Sequence, residues 1–458
     1  MPRPTIPIEF SFWWPRFARV LAGAAGTLVT ALTGMIRNKW LAHHLDTSGI
    51  GVLAQVSSAQ AWFGHAAGMG LGLPVTRAVA VGPDDGRRAA WSAAFLALIA
   101  GLVVAAVGMA GAPALSRALL GTSDYAPLVR LSMAGAVGLA VWSPIMGFFA
   151  GRSDVQAPLV FALAGGGGAT LLAFLLVPRF GLLGAATALT LLYPLGVAGM
   201  LVARAPRHAA ALWPRPLPFL TTAWRESGPL LAVAAAALGL NLLDLGTMVA
   251  LRAHYLRTHG VDANGLFQAA VALSQQVGAI FYAYLGSYAF GKVNAVAAAD
   301  GTPGVTAYTR RQWLPLLGLA LAAVAVSMAG AGPLLHLLYS ERFEAARPLL
   351  AYALFGEFGR VAAQTVGIGA LAVGGTRLWF SIGVTQPAGL AAFYAWFLSR
   401  GAGAESLPLA YAGAGWCSFA VALLLLARSG VTLDGRGWLL AGGAFVALGV
   451  LARFVAGG

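Results

Sequence analysis

Residues 354–375 read LFGEFGRVAAQTVGIGALAVGG. Glu357 and Arg360 stand three residues apart in a run apolar and long enough to cross a bilayer, and on a helix such positions share a face. A charge near the bilayer centre costs at least ~2.5–3.5 kcal/mol, so this face must look into protein or a wet cavity. Two readings stay open: a self-neutralising pair that lowers its own burial cost, or a polar lining of a passage that contacts what moves through it. The other deep acid is Asp244, in GLNLLDLGTMVAL with Asn241 one turn earlier. A carboxylate there can exchange a proton or bind a sodium ion as the surrounding helices move, a role Glu357 could share. It could equally close a hydrogen-bonded helix contact. His65, in AWFGHAAGMG, is either a packing histidine or a group facing the passage that binds sugar or a proton.

Cations mark the ends of several apolar runs: Arg37 and Lys39 after the first, Arg77 after the second, Arg252 after the seventh. Helix ends commonly carry snorkelling cations. Arg37, Lys39 and Arg252 also fall at matching places in the two halves of the chain, where they would form cationic rims facing one cleft. Such rims attract a diphosphate or an acidic sugar, and Arg offers phosphate a bidentate contact that Lys does not. No GxxxxGK[ST] is present, so there is no P-loop for ATP. GGGG at 165–168 lies inside an apolar segment and reads as a close helix contact. His43, His44 and Asp46 lack the further Cys or His ligands of a metal site and read as a solvated turn. The single cysteine, Cys417, allows no internal disulfide. These residues supply no catalytic constellation and no metal site; the one small ligand they suggest is a coupling ion, H+ or Na+.

Composition sets the frame for these residues. The chain has 458 residues, 59% of them hydrophobic and 10% charged, against about 25% charged in soluble domains. It cannot cover a water-facing surface, so its solvent is the bilayer. The net charge of +14 then reports Arg-rich cytoplasmic loops and an anionic ligand or lipid surface, not nucleic acid.

A spanning helix needs about 20 apolar residues. Runs near 17–36, 49–75, 89–112, 127–149, 157–177, 181–203, 229–251, 265–290, 313–338, 348–373, 378–398 and 407–427 qualify. A thirteenth run at 438–455 is short, carries Arg453 and is left open. The loop distribution of Arg and Lys places the N-terminus in the cytoplasm. MPRPTIPIEFSFWWPRFARV, with no small-residue cleavage site, reads as a cytoplasmic lead into the first helix. The Pro- and Arg-rich segment 204–228 divides an N-terminal six-helix lobe, 1–203, from a C-terminal one, 229–427, leaving 428–458 as an extension. The halves resemble each other: AHHL at 42–45 matches AHYL at 253–256, GVLAQ at 51–55 matches NGLFQ at 264–268, and Gly135 and Gly138 match Gly356 and Gly359 at one offset. The expectation is an all-α polytopic membrane protein of two parallel six-helix lobes around a central cleft, suited to alternating access. With both lobes in one chain, a monomer is the expected state.

Three blocks carry a family resemblance: residues 38–80, NKWLAHHLDTSGIGVLAQVSSAQAWFGHAAGMGLGLPVTRAVA; residues 253–292, AHYLRTHGVDANGLFQAAVALSQQVGAIFYAYLGSYAFGK; and residues 336–379, HLLYSERFEAARPLLAYALFGEFGRVAAQTVGIGALAVGGTRLW. They resemble the O-antigen and enterobacterial common antigen translocases of the multidrug/oligosaccharidyl-lipid/polysaccharide exporter superfamily. In that family the last block carries an acid, a base three residues later, a small-residue helix and a Gly-Thr-Arg turn, here Glu357, Arg360 and Gly375-Thr376-Arg377. GKVNA, where the family commonly has a Pro-containing segment, and the extra C-terminal run depart from the pattern. The resemblance implies a flippase, not an enzyme. It would carry an undecaprenyl-diphosphate-linked oligosaccharide, such as an O-antigen or similar repeat unit for lipopolysaccharide or another surface polysaccharide. Transport would run across the bacterial inner membrane, with polysaccharide polymerases as potential partners. A cation-coupled multidrug exporter of the same superfamily is the alternative.

Overall fold

In the computed structural model the backbone is described for residues 10–81, 83–154, 156–212, 220–431 and 435–457. Every regular element among them is helical. The first half comprises α1 (Phe10–His44), α2 (Thr47–Gly68), α3 (Gly72–Val81), α4 (Pro83–Ala110), α5 (Ala112–Leu120), α6 (Ala126–Gly151), α7 (Ala157–Phe161) and α8 (Gly168–Leu212). The second comprises α9 (Leu220–His259), α10 (Val261–Tyr284), α11 (Phe290–Ala329), α12 (Ala331–Leu338), α13 (Arg347–Gly367), α14 (Ala370–Ser399), α15 (Ser406–Arg428) and α16 (Gly435–Gly457). Among the described residues, eight stretches are long and apolar enough to cross a membrane. Residues such as Val107, Leu175, Val202, Val326 and Val450 stand exposed on the outside. An apolar exterior of this kind requires lipid, and the chain is an all-α multi-pass membrane protein.

Several apolar runs join into longer helices than hydropathy delimits. Three long helices are broken by a glycine in the left-handed region, which costs glycine no Cβ clash. Within α8, Gly181 (φ +51) folds the chain back, so that a Cβ on Gly184 would lie 2.5 Å from the Leu176 carbonyl. Within α14 the break falls at Gly375 (φ +65), at the expected Gly-Thr-Arg turn. Gly301 (φ +60) breaks α11 likewise. The segment 204–228, expected as a linker, is helical at both ends: α8 runs to Leu212 and α9 starts at Leu220. Its middle, 213–219, lies outside the described residues, as do residues 1–9 of the N-terminal lead. The run left open at 438–455 is a helix, α16. It buries Ala441, Ala444, Leu448 and Ala452 on one face and sets Phe445 edge-on to Trp416 at 4.9 Å. The GGGG run also makes a close helix contact: a Cβ on Gly165 would sit 2.6 Å from the Leu192 carbonyl, and one on Gly166 2.6 Å from Thr33 Oγ1.

Each half is organised on one central helix. α6 packs against α2, α3, α4 and α8, while α13 packs against α10, α11, α15 and α16. The small-residue steps have equivalent uses. Gly138 of α6 abuts Pro194 of α8, and Gly359 of α13 abuts the Gly415 backbone of α15. In each half the long helix before the centre is followed by a short one opened by glycine and an early proline, α5 after Gly111 and α12 after Gly330.

The halves meet where α2 and α10 cross near their N-termini. A Cβ on Gly51 would collide with the Val261 carbonyl, and one on Gly265 with the Thr47 carbonyl. Hydrogen bonds surround the crossing: Thr47 to Asp262, and Asn264 Nδ2 to the Gly51 carbonyl at 2.8 Å. Deeper in, Gln55 donates to the Val249 carbonyl and Trp62 to the Leu242 carbonyl, both at 3.0 Å. At the same end Asp46 caps α2 by accepting from the Gly49 amide at 2.7 Å. That bond and the Ser48 hydroxyl hold its carboxyl below the usual range. Gly265→Ala forces backbones apart at this crossing. It should cost about 1–3 kcal/mol, as overpacking does, and lower the melting temperature of the detergent-purified protein; an unchanged melt would show that the crossing can relax.

Candidate functional site

The site starts from a stripe of glycines. Gly356 and Gly359, three apart on α13, have no side chain to hold α15 away. A Cβ on either would lie 2.7 Å from Ala412 Cα or 2.6 Å from the Gly415 carbonyl carbon. Close approach of this kind is how small residues join membrane helices. It brings Tyr411 of α15 to Glu357. On the other side Gly278 of α10 leaves the space that the carboxylate fills, since a Cβ there would collide with Glu357 Oε1.

Glu357 has no exposed surface. Its Oε1 accepts from the Tyr282 hydroxyl and its Oε2 from the Tyr411 hydroxyl, both at 2.7 Å. Arg360 Nη1 lies 3.6 Å from Oε2 and donates to the Tyr411 hydroxyl, with its Cζ 5.3 Å from the centre of the Tyr411 ring. A buried carboxylate demands an opposite charge and donors for its lone pairs; α10, α13 and α15 each supply one. The two sequence readings of the pair therefore divide between its members. Glu357 is the buried counter-ion, while Arg360 keeps 22% of its side chain exposed and lines a cavity of about 410 Å3.

That cavity lies wholly in the second half. Asn241 and Asp244 reach it from α9, Tyr282 from α10, Gln364 from α13, Trp379 and Gln386 from α14, and Ser418 from α15. Asp244 and Arg360 both line it. Ser418 donates to Gln386 Oε1 at 3.0 Å. Just beyond Tyr282, residues Leu285–Ala289 form a π-helical turn that contributes Leu285 and Gly286 to the wall. Such turns are frequent at functional sites.

The structure thus brings Glu357, Arg360 and Asp244 together and places the other expected site residues elsewhere. Arg252 is not at a helix end. α9 continues seven residues past it, because a helical backbone need not stop where hydropathy does. Arg252 is 3% exposed, lies 5.1 Å from the centre of the Phe267 ring and donates to Ser58 Oγ at 3.3 Å. Lys39 donates to the His336 carbonyl at 2.6 Å, joining α1 to α12. Arg37 is half-buried inside α1. These three make no open rim in this conformation. Arg77 is exposed on α3, and His65 is half-buried on α2; neither lines the cavity. Among the described residues no group of His, Cys, Asp and Glu could hold a metal. Sequence reasoning missed Tyr282, Tyr411, Gln364, Gln386 and Trp379. The usable signal was that a tyrosine hydroxyl in an apolar helix needs a partner, and Glu357 needed donors.

No family model matches the chain. It is 26% identical over 386 residues, 82% of its length and 89% of the relative's, to the lipid III flippase of Escherichia coli (strain K12). The same figures hold for the lipid III flippase of Shigella flexneri. A MOP superfamily transporter from Pyrococcus furiosus superposes with a TM-score of 0.69 at 16% identity, covering 93% of this chain and 96% of that one. An inward-facing multidrug resistance MATE family transporter of the MOP superfamily also gives 0.69 at 16% identity, covering 88% and 94%. The chain shares its fold with these MOP-superfamily transporters.

The buried network yields a stability test. Arg360→Ala strands Glu357 in the core and should cost about 3–5 kcal/mol. The double variant Glu357→Gln/Arg360→Met removes both charges and should recover most of that loss in thermal unfolding. Equal destabilisation by the single and double variants would deny that the two charges are coupled.

Proposed function

We propose that the protein is a flippase for an undecaprenyl-diphosphate-linked oligosaccharide, an O-antigen or similar surface-polysaccharide repeat unit. It would carry this lipid from the cytoplasmic to the periplasmic leaflet of the bacterial inner membrane. The observation that carries the reading is the polar cavity at Arg360 in a chain similar over most of its length to lipid III flippases. No covalent chemistry is needed. The barrier to flipping is desolvation of a large polar headgroup, and a cavity lined with carboxamides, a carboxylate and a guanidinium replaces the lost water. The prenyl tail stays in lipid.

The contacts between the halves suggest how the cycle runs. Lys39–His336, Thr47–Asp262 and Asn264–Gly51 all close the end that carries the α1–α2 turn. The loop charge bias assigns that end to the periplasm, with the N-terminus in the cytoplasm. In this conformation the path would then open inward. Outward opening requires those bonds and the Gly51–Gly265 crossing to part, which would free Lys39 and expose Arg252 to an arriving diphosphate, with Arg37 and Arg77 further along the first half. Asp244, the carboxylate with surface in the cavity, is the candidate carrier of a coupling proton or sodium ion. A monomer suffices, since both halves belong to one chain.

A cation-coupled multidrug exporter is the second reading. It is favoured by a cavity whose one guanidinium is already paired with Glu357 and whose lining adds the Asp244 carboxylate, and by the fold shared with multidrug transporters. Deletion of the gene separates the two. The flippase reading expects loss of surface glycan with lipid-linked sugar retained on the cytoplasmic side. Normal glycan with altered drug tolerance would overturn it. In the complemented strain, at equal membrane abundance, Arg360→Lys should keep part of the transport that Arg360→Ala loses; normal transport by both would remove Arg360 from the path.

A further inference from the structure

We infer that the cavity of the second half receives a sugar ring of the transported headgroup and excludes its diphosphate. The inference rests on the flippase reading for the nature of the cargo and adds which part of that cargo this cavity holds. Three features of the wall support it.

The first is charge. The Arg360 guanidinium is already committed to Tyr411 and to Glu357, which has no exposed surface, and Asp244 is the carboxylate that lines the wall. With the guanidinium neutralised by Glu357, the uncompensated Asp244 carboxylate repels a diphosphate, whereas a neutral polyol meets no such barrier.

The second is hydrogen-bonding capacity. Among the described residues the side chains of Asn241 and Gln364, both exposed, and of Asp244 make no hydrogen bond. Carboxamides offer donors and acceptors together, and a carboxylate accepts from two hydroxyls at once. Ser418 fixes Oε1 of Gln386, which leaves its amino group free to donate. Vicinal sugar hydroxyls, each both donor and acceptor, satisfy this mixed set; an acceptor-only diphosphate would leave the Asp244 carboxylate unpaired.

The third is shape. Trp379 lines the same wall, and an aromatic side chain suits the apolar C–H face of a pyranose. A volume of about 410 Å3 is that of a small-ligand pocket, about 300–1,000 Å3.

The test uses the full chain in lipid nanodiscs and compares binding of farnesyl diphosphate with that of farnesyl-diphosphate-linked N-acetylglucosamine, glucose and galactose. At least one glycosylated lipid should bind about tenfold tighter than the bare diphosphate, the value of one or two hydrogen bonds with partners that otherwise stay unpaired. Asn241→Leu and Gln364→Leu alter exposed side chains without a described hydrogen bond, so both should fold. Each should shrink the glycan advantage and leave the affinity for the bare diphosphate unchanged. Equal affinity for all four lipids overturns the inference, as does a glycan advantage that survives both substitutions, or a loss that strikes the bare diphosphate equally. If farnesyl diphosphate binds and the sugars add nothing, only the sugar site falls. If none of the four binds, the flippase reading falls with it.

Discussion

The buried charge of Glu357 is the constraint from which the second half of the molecule can be derived. An ionised carboxylate with no exposed surface survives only if every lone pair is met and an opposite charge stands near. That demand fixes three helices at once. α13 must approach α15 closely enough for Tyr411 to reach, which requires Gly356 and Gly359. α10 must leave room, which requires Gly278. α13 must also carry its own cation one turn on, which is Arg360. The helix that results is less apolar than its neighbours and is not among the stretches that qualify as spans on hydropathy. Its burial inside the second half, against α10, α11, α15 and α16, compensates for what its composition lacks.

The same arrangement explains why the cavity lies to one side of the molecule's centre. The first half has uncharged residues, Ala136 and Leu139, where the second has Glu357 and Arg360, and both are fully packed. Leu139 fills the space above Gly64 of α2. One half is thus closed by hydrocarbon at the level where the other carries a polar network and a cavity. A repeat that duplicates the scaffold and not the site leaves one copy free to specialise while the other supplies rigid packing.

Much of this was legible in the sequence, and the reasons differ by feature. Many of the spans were legible because hydropathy reports what lipid tolerates, but the runs at 49–75, 348–373 and 378–398 are not among the stretches of the described residues that qualify by length and composition. Glu357 and Arg360 were legible because charge in an apolar run has few explanations, and the Gly375 turn because the family resemblance implies a Gly-Thr-Arg turn there. Helix ends were not. Arg252 marks the end of an apolar run and lies well inside a helix, because hydrogen bonding along the backbone continues through polar residues. Tyr282, Tyr411, Gln386 and Trp379 were not legible as a group. Which residues of different helices meet depends on the rotation of each helix about its axis, and helices apolar on nearly every side give little pattern from which to read it.

The contacts that join the halves bear on what motion the fold permits. Most are side-chain donors set on backbone carbonyls: Gln55 to Val249, Trp62 to Leu242, Asn264 to Gly51, Lys39 to His336. A carbonyl inside a helix already accepts one backbone bond and can share a second at small cost. Withdrawing the donor therefore leaves no orphaned acceptor at Gly51, Leu242 or Val249; the His336 carbonyl lies in the last turn of α12, where helix carbonyls lack a helical donor, and Lys39 caps it. By contrast, Glu357 is satisfied entirely within its own half, by Tyr282, Tyr411 and Arg360. Rocking the halves apart leaves that network whole. The bonds to Glu357 lie within one half, so a rigid-body motion can proceed without uncovering that carboxylate; the buried charge such a motion does uncover is Arg252, which bonds across the halves to Ser58.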